Sequence, residues 1–152
     1  MSVIPLGTIL TSRALIVRGD SMLPSLAKGN VVLVSRRAFK GSGPARRDVV
    51  ALRDPQGSRR LYLKRIIGLP GETVALSEGL LYVDGEHMVE PYLGGLPSSL
   101  GLGETTWQLG DDQLLVLGDR RSGSTDSRQF GPVNASQIVG KAWLRVWPPG
   151  RS

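Results

Sequence analysis

Short runs of apolar residues recur along the chain, and segments rich in Gly, Pro, Asn and Asp separate them. Apolar positions at helical spacing are nearly absent. The runs have the length and composition of strands, and they predict eight of them: Ala14–Val17, Val31–Val34, Asp48–Leu52, Leu61–Ile67, Thr73–Leu76, Leu80–Val83, Gln113–Leu117 and Ile138–Val146. Many short strands with few short helices indicate an all-β, mostly antiparallel fold.

Turn signals lie between the predicted strands, the clearest being Lys28-Gly29-Asn30, Leu69-Pro70-Gly71, Ser77-Glu78-Gly79 and Asp84-Gly85. Ser77–Gly79 joins two runs closely, which is typical of a hairpin. Gly94–Gly103 is rich in Gly, Ser and Leu without any period, and we interpret it as a loop. Because no repeat or linker divides the chain, we expect a single domain over residues 1–152, with residues 1–13 as an N-terminal extension.

Composition restricts the chemistry that this domain could perform. A chain of 152 residues with 40% hydrophobic residues can bury a core, and its 20 Gly and 10 Pro suit a β protein with many turns. It has no Cys, which excludes disulfides, thiol nucleophiles and Cys-based zinc sites. His87 is the only histidine, so a multi-His metal site is excluded as well. We expect no metal and no cofactor.

The net charge of +6 arises in one stretch of the chain. Residues 36–60 contain eight basic and two acidic residues, so the remainder sums to zero. A solvated loop region would explain this, and so would contact with an anionic surface. The stretch has no interleaved aromatic residues and no nucleic-acid motif, so lipid headgroups are the better expectation, and we expect no nucleic-acid partner.

No apolar run reaches the roughly 18 residues that a membrane helix needs. Residues 1–10 are apolar but are interrupted by Pro5 and Gly7, and they lack the charged start of a signal peptide. We therefore expect the chain as given to be soluble.

Lys64 stands inside the apolar run Leu61–Ile67, where period two places Tyr62 and Ile66 on its face. The chain has only four lysines against fifteen arginines. Arginine stays protonated, whereas a buried lysine can become neutral. Lys64 is thus a candidate base, although a strand lysine that extends its amine to solvent would give the same pattern.

Ser21 follows the first predicted strand in a turn between Gly19 and Pro24, which would expose its hydroxyl. Alone, this fits an ordinary serine turn. A serine nucleophile needs a base. His87 lies in a polar turn that looks solvent-facing, so a neutral Lys64 is the remaining good base.

Four segments of the chain, in this order, resemble bacterial type I signal peptidases, the Ser-Lys proteases that remove signal peptides: Gly19–Asn30, Arg47–Leu52, Tyr62–Glu72 and Gly118–Arg128 with the following Gly131 and Val139–Ala142. Leu81–Gly85 and Glu90–Leu93 also resemble the family's hairpin region. The similarity runs from about residue 14 to residue 148. The Ser-Met-x-Pro part is shared with LexA-like self-cleaving repressors. The segments Tyr62–Glu72 and Gly118–Arg128 together are specific for the signal peptidase family.

This resemblance implies the signal-peptidase/LexA-like β fold and a Ser-Lys dyad of Ser21 as nucleophile and Lys64 as general base. It implies that Ser124 hydrogen-bonds the lysine amine and orients it. It implies that Asp126 and Arg128 form an ion pair that supports the site, with Arg65 beside the base and Asp119 as a further supporting residue. The Ser21 backbone N–H would be one oxyanion donor.

The resemblance also implies a substrate, the signal-peptide segment of exported preproteins, cut after small residues through an acyl-enzyme. The peptide would lie as an added strand between Leu15–Val17 and Leu61–Leu63. Five residues match the walls of the family's two shallow pockets: Leu15, Val17, Leu26, Tyr62 and Leu63. The implied location is the cytoplasmic membrane, with the catalytic domain on its outer face, and we expect a monomer.

The chain departs from the family pattern in three places. Gly19 stands where some members carry a serine that supplies a second oxyanion donor. In the segment 120–123, Arg120, Ser122 and Gly123 replace the Asn, Asp and Asn of the usual Gly-Asp-Asn-Arg-Asp-Asn-Ser run, while Arg121 is kept. Only 20 residues precede Ser21, too few for the family's usual anchor helix, so either the anchor was left out of this chain or this is an anchorless relative. Two alternatives are a LexA-like self-cleaving domain and an idle relative that serves as a binding module.

Overall fold

The computed structural model describes residues 6–39, 41–98 and 103–149. Within these residues, strands arranged in two sheets make up most of the regular structure. Their bounds are β1 Arg13–Ile16, β2 Val31–Ser35, β3 Val49–Arg53, β4 Leu61–Gly68, β5 Thr73–Ser77, β6 Leu80–Val83, β7 Glu86–His87, β8 Thr105–Gln108, β9 Gln113–Leu117, β10 Val133–Asn134 and β11 Ile138–Trp147.

The larger sheet has seven strands in the order β1-β2-β11-β3-β4-β9-β10, and all neighbouring pairs are antiparallel. β1 is an edge strand whose partner is β2. β4 pairs with β3 along Leu61–Arg65, but its pairing with β9 begins only at Arg65. The segment Leu61–Lys64 therefore has one edge to which no strand of the described residues is paired.

The smaller sheet has four strands in the order β7-β6-β5-β8. β5 and β6 form a tight hairpin in which Ser77 faces Leu80. Its loop residues Glu78 and Gly79 have φ of 50° and 80°, the pair of positive values that a type I′ turn requires. The hairpin predicted from Ser77–Gly79 is thus confirmed.

The all-β, mostly antiparallel fold predicted from the sequence is confirmed, and each of the eight predicted strands is present with its ends within one residue. The short strands β7, β8 and β10 were not predicted. Two short helices, α1 Leu6–Leu10 and α2 Ser127–Phe130, and three 3₁₀ segments complete the described elements: Arg36–Phe39, Pro91–Leu93 and Ala135–Gln137. In the predicted loop Gly94–Gly103, residues 99–102 lie outside the described residues, as do residues 1–5 of the predicted N-terminal extension.

The core extends over both faces of the larger sheet, which explains why β3 is a continuous apolar run. Val49 and Ala51 pack on one face, under the Ser21 turn, while Val50 and Leu52 pack on the other. A further cluster, which includes Ile67 and residues of β5, β6 and β9, joins the two sheets. Within the described residues, no helix has the length and hydropathy needed to cross a bilayer.

Candidate active site

Ser21 lies in an irregular turn of residues 19–26 that directly follows β1. Backbone hydrogen bonds close this turn, from Leu23 N–H to Asp20 O and from Leu26 N–H to Met22 O. Met22 and Leu26 are 1% and 0% exposed and fix the turn to the core below it. The apolar residues Met22 and Leu26 after Ser21 thus point inward, while Ser21 itself stays partly exposed.

The structure brings Lys64 to Ser21. Lys64 Nζ lies 3.0 Å from Ser21 Oγ and 3.1 Å from its own neighbour's carbonyl oxygen, Leu63 O. Ser21 follows β1, whereas Lys64 lies on β4, which is four strands from β1 in the order of the larger sheet. The sheet must therefore curve for the two side chains to meet. A nucleophile and a base at this separation can exchange a proton directly.

Burial changes the acidity of this amine. Lys64 is 3% exposed, opposite Val50 on β3 and with its Nζ 5.4 Å from the centre of the Tyr62 ring. Desolvation lowers the pKa of Lys64 to about 8, although the negative charges of Asp126 and Asp119 oppose this shift. With that pKa, about half of the lysine side chains are neutral at pH 8.

The Ser21 backbone N–H donates to no acceptor in the described part of the chain, and the Ser21 carbonyl accepts a 2.9 Å hydrogen bond from the Arg120 N–H. The residue two positions earlier, Gly19, has open space where a side chain would begin. The amide of Ser21 is therefore free to bind a developing oxyanion.

Ser124 is placed next to the dyad by Gly118. A Cβ on Gly118 would lie 2.1 Å from Ser124 Oγ and 2.6 Å from the Ser21 carbonyl oxygen, so only glycine permits this close approach. The Ser124 hydroxyl is buried and has no hydrogen bond of normal geometry among the described residues; it faces Asp126, whose pKa it helps to lower. The Lys64 amine donates to Ser21 and Leu63 instead, and the role of Ser124 in orienting it stays a prediction.

Asp126 and Arg128 form the ion pair that the resemblance implied. Arg128 Nε and Nη2 each lie 2.9 Å from an Asp126 carboxylate oxygen, and the carboxylate also accepts from the Gly118 N–H and caps α2. Burial alone would raise the pKa of Asp126, but these donors outweigh it and hold the pKa below its usual value. Asp126 therefore stays ionised near Lys64, where it raises the pKa of the lysine and Arg128 lowers it.

Arg65 and Asp119 form a second, more deeply buried pair. Arg65 Nε and Nη2 donate to the two Asp119 carboxylate oxygens at 2.8 and 2.6 Å, and the Asp119 side chain has no exposed surface. Arg65 also lies over the Tyr92 ring at 4.1 Å. Ser25, to which the sequence analysis assigned no role, donates to Asp119 Oδ2 at 2.5 Å and accepts from Arg65 Nη2 at 3.1 Å.

A third buried pair was also missed. Arg121 Nη1 and Nη2 lie 3.0 and 2.6 Å from the two Glu90 carboxylate oxygens, and each side chain is 3% exposed. Arg121 Nε also donates to the Gly118 carbonyl, and the Tyr92 hydroxyl donates to Glu90. This pair ties the loop after β7 to the segment Gly118–Ser124. The sequence did not predict this contact, because Glu90 and Arg121 lie far apart in the chain and neither stands in a pattern that points to the other.

The implied pocket residues do not all lie on the same surface. Leu15, Val17, Leu26 and Leu63 belong to one cluster under the Ser21 turn, whereas Tyr62 packs against the cluster on the other face of the larger sheet. Leu26 is 0% exposed, so it can shape a pocket only from behind. Leu15 and Leu63 are half-buried and offer surface beside Ser21 and Lys64.

His87 lies far from this chemistry in the topology. It is an exposed residue of β7, the edge strand of the smaller sheet, and its ring is tilted against Tyr82 at 5.8 Å. The solvent-facing position expected for it is confirmed.

The basic stretch 36–60 does not form one surface. Arg46 donates to Glu72 at 2.8 Å, Arg59 and Arg60 lie in the β3–β4 turn, and Lys40 lies outside the described residues. Arg36 and Arg37 lie in the 3₁₀ segment after β2 and, together with Arg13, line a cleft of about 340 Å³. The other residues that line this cleft are Thr11, Val34, Ser35 and Val139.

Comparisons with known proteins agree on one family. The family profile described as "Signal peptidase, peptidase S26" matches residues 2–147. Signal peptidase I of Bacillus caldolyticus is 39% identical over 145 residues, which cover 88% of this chain and 78% of that protein. Signal peptidase IB of Staphylococcus aureus is 37% identical over 147 residues, covering 87% and 76%.

A solved structure gives the same result. The crystal structure of a signal peptidase I from Enterococcus faecalis matches with a TM-score of 0.57 at 31% identity, and the match covers 64% of this chain and 95% of that one. At this identity the similarity extends beyond the fold to the sequence.

Proposed function

The chain belongs to the signal peptidase family, peptidase S26, and is a serine protease; we propose that it removes signal peptides from preproteins with Ser21 as nucleophile and Lys64 as general base. The observation that carries this proposal is the 3.0 Å contact between Lys64 Nζ and Ser21 Oγ, with the amine buried. No other titratable side chain is within hydrogen-bond distance of Ser21 Oγ in the described residues.

In the acylation step, neutral Lys64 Nζ takes the proton of the Ser21 hydroxyl while Oγ bonds to the scissile carbonyl carbon. The carbonyl oxygen becomes an oxyanion, and the Ser21 backbone N–H, which has no acceptor in the described residues, donates to it. The Lys64 ammonium then gives its proton to the amide nitrogen, the C–N bond breaks, and the mature protein leaves with a free amine.

In the deacylation step, neutral Lys64 removes a proton from a water that attacks the ester carbonyl carbon. The ester C–O bond breaks, and the Lys64 ammonium returns its proton to Ser21 Oγ. The signal peptide leaves as a carboxylic acid and the enzyme regains its starting state. One amine thus acts as base and acid in turn, which requires a pKa close to the working pH.

The substrate would bind by strand addition. Among the described residues, β1 and the segment Leu61–Lys64 of β4 each have one edge to which no strand is paired, and these segments contain the half-buried Leu15 and Leu63. A peptide laid between them would gain main-chain hydrogen bonds and place alternate side chains against the apolar cluster below. Because that cluster is packed and apolar, only small side chains would fit at the first and third positions before the cut.

Cleavage of a preprotein with Ala at both positions, followed by mass spectrometry of the products, tests the proposal. The wild type should cut directly after the Ala at the first position before the cut. Ser21→Ala and Lys64→Ala should each abolish this cleavage. Lys64→Arg should be inactive as well because guanidinium stays protonated. His87→Ala is the matched control and should cut at the wild-type rate; loss of activity in this variant with retention in Lys64→Ala would refute the dyad.

Contact with anionic lipid is part of the proposal, and so is the placement of the catalytic domain on the outer face of the cytoplasmic membrane. The cleft lined by Arg13, Arg36 and Arg37 supports lipid contact, since none of these three has an acidic partner in the described residues. α1 packs against the Arg36–Phe39 segment and exposes Leu6 and Leu10 by 70% and 77%. Cationic and apolar groups side by side suit a headgroup and its acyl chains.

Vesicle co-sedimentation tests this contact with two matched double variants. Replacing Arg36 and Arg37 by Gln should weaken binding to phosphatidylglycerol vesicles by about tenfold or more, at roughly 1 kcal/mol per residue. Replacing Arg59 and Arg60 by Gln removes the same charge at the β3–β4 turn and should have less effect. About 0.5 M salt should release the wild type. Equal effects of the two pairs would show that the cleft has no special role.

A further inference from the structure

Ser25 lies four residues after the nucleophile, in the same turn, and its hydroxyl makes two hydrogen bonds outside that turn. It donates to Asp119 Oδ2 at 2.5 Å and accepts from Arg65 Nη2 at 3.1 Å. Through these two bonds the segment 19–26 contacts the buried Arg65–Asp119 pair. This contact is unexplained by the catalytic steps.

The two charged residues that it contacts, Arg65 and Asp119, belong to two segments whose positions relative to Ser21 matter for the reaction. Arg65 is the neighbour of Lys64 on β4, so its position follows that of the base. Asp119 precedes Arg120, whose N–H donates to the Ser21 carbonyl at 2.9 Å. The Arg65–Asp119 pair therefore connects the strand of the base to the segment that touches the backbone of Ser21.

We propose that Ser25 is a positioning residue that ties the nucleophile turn to the Arg65–Asp119 pair and so sets the distance between Ser21 Oγ and Lys64 Nζ. This inference rests on the proposed function, in which that distance governs proton transfer. Backbone hydrogen bonds within the turn and from the Arg120 N–H to the Ser21 carbonyl hold its main chain, and Met22 and Leu26 add apolar contacts, which resist sliding poorly. The two hydrogen bonds of Ser25 add a directional constraint, because they join the turn to the charged groups next to Lys64 and Arg120.

Ser25→Ala removes both hydrogen bonds and leaves Arg65 and Asp119 paired with each other. The Lys64 environment stays the same, because the buried charges near it are kept. We expect kcat for a signal-peptide substrate to fall by about 10- to 100-fold, the effect of misplacing a reacting group by about 1 Å. KM should change little, since Ser25 lines neither strand edge, and the apparent pKa of the pH–rate profile should stay near that of the wild type.

Ser25→Thr keeps the hydroxyl and should restore most of kcat. Ser77→Ala is the matched control, because Ser77 is also a half-buried serine that donates to a carboxylate, that of Glu104 at 2.9 Å, but it lies on β5 of the smaller sheet, away from the dyad. It should lose stability without losing kcat. Thermal unfolding of each variant separates the two effects.

The proposal is overturned if Ser25→Ala retains the wild-type kcat, or if Ser25→Thr is as impaired as Ser25→Ala. Should Ser25→Ala fail to fold, Ser25→Cys replaces it: the thiol fills the same space with a weak donor, and wild-type kcat in that variant would equally overturn the proposal. Absence of cleavage by the wild type itself would refute the proposed function instead, so the two failures are distinguishable.

Discussion

Replacing Lys64 by Met should make the stability of the protein less dependent on pH. Folding lowers the pKa of Lys64 from 10.5 to about 8, mainly by desolvation. The unfolded chain therefore binds more protons than the folded one between these two values, and the free energy of unfolding rises with pH in that window. Below pH 8 the buried ammonium destabilises the fold by its full amount, and above pH 10.5 this cost has disappeared.

The magnitude follows from the two pKa values. Their difference corresponds to about 3 kcal/mol in total, at about 1.4 kcal/mol for each pKa unit. Of this, about 2.5 kcal/mol falls between pH 7 and pH 10. Met has a similar length and no charge, so Lys64→Met lacks this dependence. The hydrogen bonds that Met cannot make to Ser21 and Leu63 add only a constant offset, which drops out when the slopes are compared.

Urea unfolding at pH 7, 8, 9 and 10 measures this difference directly. The free energy of unfolding of the wild type minus that of Lys64→Met should rise by about 2.5 kcal/mol across the series. Lys28→Met, the removal of an exposed lysine, controls for the loss of one positive charge. A wild-type minus Lys64→Met difference that stays constant within about 0.5 kcal/mol would refute the argument, because only surface effects are that small.

Three further predictions follow from the geometry around the dyad. Gly118→Ala should lower kcat by about 100-fold or more, since its Cβ would meet Ser124 Oγ at 2.1 Å; peptide cleavage with circular dichroism to verify folding measures this, and unchanged kcat would contradict the packing. Gly19→Ser should keep the thermal midpoint and raise kcat by up to about tenfold, because open space there admits a second oxyanion donor, whereas a fall in kcat would argue against that geometry. Acid should destabilise the fold below about pH 4.5, because the pKa values of Asp126 and Glu90 are lowered by folding and their stabilisation is lost on protonation; urea titration from pH 6 to pH 3 should show the loss, and a flat profile would contradict the buried ion pairs.

Most strands of the larger sheet could be predicted because their signal is local. β3 and β4 are apolar runs bounded by turn residues, and burial on both faces makes such runs conspicuous. β8, with the sequence Thr-Thr-Trp-Gln, is mostly exposed and owes its existence to pairing with β5. The two-residue strands β7 and β10 are defined only by their partners, so no sequence window contains them.

The candidate site divides in the same way. Ser21 and Lys64 became candidates because each carries a local anomaly, an exposed hydroxyl in a Gly–Pro turn and a lysine within an apolar strand, and the resemblance to signal peptidases then implied their roles. Ser25 and Glu90 have no such anomaly; they matter because folding brings them to buried arginines distant in the chain, 40 positions away for Ser25 and 31 for Glu90. Contacts of this kind depend on the three-dimensional arrangement of the sheets and are invisible to spacing rules.

The pH dependence of kcat/KM for a signal-peptide substrate is the sharpest test of Lys64 as the base, because it reports the protonation of the base in the free enzyme. We expect a rise of about tenfold per pH unit below pH 8, an apparent pKa of about 8 and a plateau above about pH 9, with Lys64→Arg inactive throughout. A profile that still climbs steeply past pH 10, or an active Lys64→Arg enzyme, would contradict a desolvated Lys64 as the base for Ser21.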